Sequence, residues 1–256
     1  PFYHIIRHGI YLLLGAATMY VTLQVPVKLW QDAGPALLVA GMAILALLLV
    51  PGIGREVNGA TRWIGFGPVN LQPSELMKLF FVVYLAGYMT RRQRELQNSW
   101  SGMLKPLGLL GAVVLLLLLE PDFGAAVVIA GAAMAMLFLG GARLLPFIVL
   151  MLLALVGAAV MAVWSPYRMQ RLITFLDPWS DQFASGYQLT QALIAFGRGE
   201  VLGVGLGNSV QKLFYLPEAH TDFVFAIIAE ELGLLGCVAF IAIAAALSLL
   251  FFILWA

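Results

Sequence analysis

Long apolar runs divided by short polar breaks dominate the chain. A spanning helix needs roughly 20 mostly apolar residues, and seven stretches meet or approach that length: 9–27, 33–51, 73–90, 104–119, 123–140, 144–164 and 232–256. The third opens on "QPSE", where Pro73 suits a first helical turn because its missing N–H has no partner there anyway. "EPDFG" leaves three residues between the fourth and fifth runs, which predicts a tight antiparallel pair. The pattern changes over 165–231. Short apolar clusters such as "LITFLDPW", "GYQLTQALIAFG" and "KLFYLP" alternate there with glycine and charge. A connection of that length is functional or disordered, and its aromatic and aliphatic content predicts short interfacial or re-entrant helices instead of disorder. The expected fold is an all-α integral membrane protein, a polytopic bundle of seven spanning helices forming one domain over 1–256, with a long extracytoplasmic loop containing short helices.

Composition agrees. Of 256 residues 62% are hydrophobic and 11% charged, against about 25% charge in an ordinary soluble domain. A net charge of +1 without a basic block points away from nucleic acid. The single cysteine, Cys237, excludes an intramolecular disulfide and most cysteine metal sites. Arg91, Arg92, Arg94 and Lys105 flank one short loop, and Lys28 and Arg143 fall on its side if the helices alternate. That side is cytoplasmic by the positive-inside rule, so 52–72 and 165–231 face outward, with Arg55 and Arg62 counting against. The chain begins at Pro1 and ends in an apolar run, and reads as a fragment of something longer.

Polar residues in such a chain ask for reasons. Glu75 and Lys78 lie three apart on one helix face, a spacing that lets them pair. They read equally as a structural ion pair or as part of a polar cavity. Asp122 can cap the fifth helix, whose N-terminus favours a negative charge. Glu120 stands at a helix C-terminus, the wrong end for an anion, and its position asks for a partner. The glycine-rich "FGRGEVLGVGLGNSVQK" lacks both phosphate-loop patterns. It is either an irregular loop needing glycine dihedrals or backbone lying close to a bulky ligand. Arg198 and Lys212 flank it, and with Arg168 and Arg171 they face either an anionic head group or lipid phosphates. "YLPEAHTDFVFAIIAEE" sets Glu218, His220 and Asp222 ahead of an apolar run too short to span, with Glu230 and Glu231 behind it. Thr221 or Asp222 can cap a short helix there. No metal-ligand spacing stands out, and no cofactor motif is present; a divalent cation would have ligands the sequence does not show.

"NGATRWIGFGPVNLQPSELMKL", "EPDFGAAVV", "GYQLTQALIAFGRGEVLGVGLGNSVQK" and "YLPEAHTDFVFAIIAEELG" together resemble the SEDS family (shape, elongation, division and sporulation), and its division members most. The resemblance implies a bundle of about ten spanning helices, of which the seven here are the second to eighth, without the first, the last two and a late outer loop. It implies peptidoglycan glycosyltransfer: polymerisation of lipid II on the outer face of the cytoplasmic membrane during septal wall synthesis. The implied partners are a class B penicillin-binding protein (an FtsI-like septal transpeptidase), an FtsQ–FtsL–FtsB-like division complex, and membrane lipids. The acid of "HTDF", Asp222, matches the position essential for polymerisation in the family. Glu75 and Lys78 match its "QPSExxK" pair, and Arg62, Arg168, Arg171, Arg198, Lys212, Glu218 and His220 complete the candidate supporting set.

The chemistry fits those residues. A sugar hydroxyl must lose a proton as it attacks an anomeric carbon, and a positioned carboxylate serves as base. A pyrophosphate leaving group needs cations nearby. The rivals are a lipid II flippase, for which Glu75 and Lys78 would mark a path, and a non-catalytic division scaffold. The apolar helix centres argue against the first; the outer polar residues are left without a role by the second.

Overall fold

The structure is a computed structural model that describes residues 3–50, 52–57, 60–66, 69–164 and 166–255. It divides into two compact units, Pro1–Ala154 and Leu155–Ala256. The first contains α1 (Tyr3–Gln24), α2 (Val27–Leu48), a three-stranded sheet, α3 (Pro73–Arg91), α4 (Gln93–Asn98), α5 (Trp100–Leu119), α6 (Phe123–Leu139) and the start of α7 (Leu144–Trp164). Its core lies among α2, α3, α5 and α6, where Leu45, Met77, Phe81, Val113, Leu117 and Ile129 are buried. Helix α3 begins at Pro73 as expected, and only Glu120, Pro121 and Asp122 separate α5 from α6.

Two features of this unit depart from the sequence reading. The second helix was expected to open near residue 33, but α2 opens at Val27 behind an extended Pro26 (φ −63°, ψ 139°) and carries Pro35 in its interior. An interior proline removes one helical hydrogen bond, which membrane helices tolerate when neighbours support them. Here Gly34 lies directly on the α3 backbone, so close that a Cβ would stand 3.2 Å from the Tyr84 Cα. Packing, not the local breaker, decides where the helix runs. The other departure is the loop 52–72, which holds an antiparallel ribbon of β1 (Arg55–Val57), β2 (Ala60–Phe66) and β3 (Val69–Leu71) in that order. Arg55 faces Trp63 and Ile64 faces Leu71, with an irregularity between Arg55 and Glu56.

The second unit contains the end of α7, then α8 (Pro166–Leu176), a 3-10 turn (Pro178–Asp181), α9 (Tyr187–Gly199), a π turn (Gln211–Tyr215) and α10 (Val224–Trp255). The short helices expected in 165–231 are present. Helix α9 packs on α10 through Ala192, Ala195 and Ala226, and the rings of Phe196, Phe225 and Phe240 follow one another in tilted contact at 5.8 and 5.9 Å between centroids. The described helices long and apolar enough to cross a membrane are Val27–Leu48, Trp100–Leu119 and Val224–Leu250, and Phe123–Leu139 and Leu144–Gly157 are shorter apolar helices. Broad apolar exposure along α1, α7 and α10 suits lipid contact, since a soluble chain rarely leaves such surface open. The protein is a multi-pass helical membrane protein, and the short β-ribbon is the one non-helical element of regular structure among the described residues.

Candidate functional site

The second unit is built around a break in α10. Gly233 adopts φ 64° and ψ −165°, a region essentially confined to glycine. The break frees backbone groups on both sides, and the loop after α9 takes them up. Val204 and Gly205 donate their N–H groups to the carbonyls of Glu230 and Glu231, both at 3.0 Å. In the opposite sense Leu234 and Leu235 donate to the carbonyls of Glu200 (2.9 Å) and Val201 (3.2 Å). The chains meet so closely that a Cβ on Gly203 would lie 2.2 Å from the Glu231 carbonyl oxygen, and one on Gly233 would lie 2.4 Å from the Gly203 nitrogen. These glycines therefore allow backbone to pack on backbone.

The same loop holds the two acids of α10. Glu230 is 0% exposed. Its carboxylate accepts from the Ser209 hydroxyl at 2.5 Å and from the N–H groups of Val210 at 3.1 Å and Gln211 at 3.3 Å, and Arg198 stands 3.4 Å away. Glu231 accepts from Lys212 Nζ at 2.5 Å and the Ser209 N–H at 3.4 Å. Buried charge is tolerated when paired and hydrogen-bonded, and both conditions are met. Two of the four cations considered for an anionic head group, Arg198 and Lys212, are thus engaged with Glu230 and Glu231. Arg171 is exposed on α8, and the side chain of Arg168 lies outside the described residues.

Between loop and helix, the turn carrying Asp222 is fixed from below. The carbonyl of Glu218 accepts from the N–H groups of Thr221 (3.1 Å) and Phe223 (3.2 Å), and its side chain accepts from the Thr221 hydroxyl at 2.7 Å. Glu218 has φ 53°, so the turn is tight. Asp222 is exposed, and no described group donates to it. It does not cap the helix: α10 starts at Val224, and the Ala226 N–H donates to the Phe223 carbonyl. His220 is exposed on the same turn. The turn therefore presents a carboxylate whose lone pairs are not taken up by the described protein, which is what a base needs.

The first unit has its own polar cluster. Asp122 caps α6 as expected, accepting from the Ala125 N–H at 3.2 Å. Its other oxygen accepts from the Ser74 hydroxyl at 2.9 Å and the Gln72 side-chain amide at 3.2 Å, tying the starts of α3 and α6 together. Sequence reasoning passed over Gln72 and Ser74, although "QPS" ahead of a helix carries the donors. Lys78 and Glu75 form the expected ion pair at 2.8 Å, with side chains 28% and 59% exposed. Arg62 reaches from β2 and donates to the Pro121 carbonyl. Glu120 is buried at 3% exposure. Burial foremost, then the Asp122 charge, pushes its carboxyl up to about 7, with Arg62 pulling the other way. Near neutrality the carboxyl therefore stands between its protonated and ionised forms, and one of its oxygens, Oε1, has no hydrogen-bond partner among the described residues.

Both clusters fall inside the stretches that carried the family resemblance. The Cell cycle protein family of FtsW, RodA and SpoVE matches residues 1–256. The chain belongs to the FtsW/RodA/SpoVE family. Similar relatives of that family include a probable peptidoglycan glycosyltransferase FtsW of Pseudomonas fluorescens, 58% identical over 241 residues, which cover 94% of this chain and 59% of the relative. Another, of Nitrosococcus halophilus, is 57% identical over 95% of this chain and 62% of its own length. The chain thus spans about three fifths of the curated relatives it matches. Among solved structures, a chain from work on the structural coordination of polymerization and crosslinking by a peptidoglycan synthase complex aligns with TM-score 0.71 at 30% identity, covering 94% of this chain and 67% of that one. The rod shape determining protein RodA of Thermus thermophilus aligns with TM-score 0.62 at 28% identity, over 94% and 62%. In this member of the FtsW/RodA/SpoVE family, no three His, Cys, Asp or Glu side chains among the described residues converge as a metal site.

Proposed function

We propose that the chain is the greater part of a peptidoglycan glycosyltransferase that polymerises lipid II on the outer face of the cytoplasmic membrane, at the division septum, with Asp222 as general base. The observation that carries the reading is the state of Asp222: an exposed carboxylate on a tight turn, with no described donor, ahead of a helix that is itself anchored through Glu230 and Glu231. An acceptor hydroxyl placed against it can pass its proton to Asp222 as the hydroxyl oxygen attacks the anomeric carbon and the lipid pyrophosphate departs. A rigid support matters because a base must hold its position to be effective. The names of the relatives, probable peptidoglycan glycosyltransferases, support the reaction class. The synthase complex that couples polymerization to crosslinking supports a class B penicillin-binding protein as partner. The residues offered for the lipid pyrophosphate and its sugar are Arg171, Arg168 and His220, on their charge and polarity alone. The test compares purified full-length protein and its Asp222→Asn variant, each with its transpeptidase, on lipid II. Glycan polymer falls about 100-fold or more if the carboxylate takes the proton; near-normal polymer from the variant refutes the assignment.

A further inference from the structure

The cluster at the α5–α6 turn contains two atoms that no hydrogen bond satisfies. Glu120 Oε1 and Arg62 Nε are both buried without a hydrogen-bond partner, although burial ordinarily enforces one. They belong to elements already in touch, since the Arg62 guanidinium donates to the Pro121 carbonyl beside Glu120. The charged groups facing Glu120 are Asp122 on its own turn and Arg62 from β2. Gln72 and Ser74, from the start of α3, are neutral and are occupied by Asp122.

A carboxyl group so placed has two states with different mechanical consequences. Protonated, it makes no demand on Arg62, and the ribbon is held at this point by the Pro121 carbonyl. Ionised, it is a buried anion at the carbonyl end of α5, where the helix dipole disfavours it, and the guanidinium with a free Nε–H is the compensation within reach. Burial and the Asp122 charge bring the two states close in free energy around neutral pH.

We propose that Glu120 and Arg62 form a proton-operated latch between the β-ribbon and the α5–α6 turn: ionised Glu120 accepts the Arg62 Nε–H and fixes the ribbon, and protonation releases it. The proton passes between Glu120 and solvent, and no other covalent bond changes. Because the ribbon joins α2 to α3 on the side expected to face outward, the latch makes the order of that outer segment depend on external pH.

The test uses the full-length protein in lipid nanodiscs between about pH 5 and about pH 9, a range that brackets both states. Amide hydrogen exchange is read for peptides covering 60–66, corrected for the intrinsic pH dependence of exchange, and infrared difference spectra follow the protonated carboxyl band. In the wild type, ribbon protection rises about fivefold or more with a midpoint near neutrality, and the carboxyl band vanishes over the same interval. Glu120→Gln loses that band and keeps the low-pH protection throughout. Arg62→Gln retains the band, shifted to higher pH, and also loses the step, so the test survives a failure of either variant to fold. A protection step that persists in either variant overturns the latch, as does a wild-type band that titrates while the ribbon stays unchanged.

Discussion

Replacing Glu230 with alanine should be among the most damaging single changes in the second unit. The side chain is 0% exposed, and its carboxylate is held by two backbone N–H groups and a hydroxyl. Removing it leaves the amides of Gln211, which is buried, and Val210, which is half-buried, with no acceptor. A buried donor left unpaired costs about 1–3 kcal/mol, so the pair sums to about 2–6 kcal/mol, with the half-buried Val210 amide toward its lower end. Arg198 adds little, because its side chain is 45% exposed and water can replace its partner. Reversible unfolding of full-length protein in mixed micelles gives the free energies, and limited proteolysis over 200–212 shows whether the loop detaches. Arg198→Ala should cost under about 1 kcal/mol, and Ser209→Ala, which removes one charge-assisted donor, about 1–3 kcal/mol. If Glu230→Ala lies within about 0.5 kcal/mol of wild type, the cradle of N–H groups is not what holds the loop. If Arg198→Ala is as costly as Glu230→Ala, the ion pair and not the N–H cradle is the support.

Gly233→Ala should destabilise by more than about 2 kcal/mol, from its glycine-only dihedrals and the 2.4 Å approach to the Gly203 nitrogen, and the same unfolding assay should show wild-type stability if neither matters. A double-mutant cycle on Glu75 and Lys78 should return a coupling of only about 0.2–1 kcal/mol, since the pair is partly open to solvent; strict additivity would remove the pair. Glu120 binds its proton more tightly folded, with a pKa of about 7 against an ordinary 4.5. Its contribution to stability is therefore best below the unfolded value and falls as pH rises toward and through about 7, by about 3 kcal/mol in full. Glu120→Gln should gain on wild type between acid and mildly alkaline pH, and parallel pH–stability curves for the two proteins would contradict this.

The apolar runs were legible because a bilayer demands length and hydrophobicity and leaves little else to read. The cap at Asp122 and the Glu75–Lys78 pair were legible too, since both depend on residues three apart on one helix. What escaped is tertiary. Pro26 and Pro35 are alike as local signals, and the contact of Gly34 with α3 decides between them. The sequence of 52–72 contains an Asn58–Gly59 dipeptide and the β-prone run Thr61–Ile64, a hairpin signal, but it is short and lies between two much stronger helical patterns. The meeting of Gly203 with Gly233, thirty positions apart in the chain, has no local signature. Nor does the pairing of Gln72 and Ser74 with Asp122. The free state of Asp222 was the harder case, because the sequence there suited a cap equally well.

The break at Gly233 has a consequence for how the chain enters the bilayer. Without the loop 200–212 in place, Glu230 and Glu231 are bare acids next to an apolar segment, and inserting such groups at mid-membrane costs about 2.5–3.5 kcal/mol each. A translocating machinery therefore meets a clean boundary: everything from Leu234 onward is good lipid-phase sequence, and the turn before it is not. The acids mark the edge of the apolar segment, and in the folded protein Ser209, Arg198 and Lys212 cover them. Because α10 supplies these acids and the loop supplies their partners, the support beneath Asp222 is complete only when both are in place.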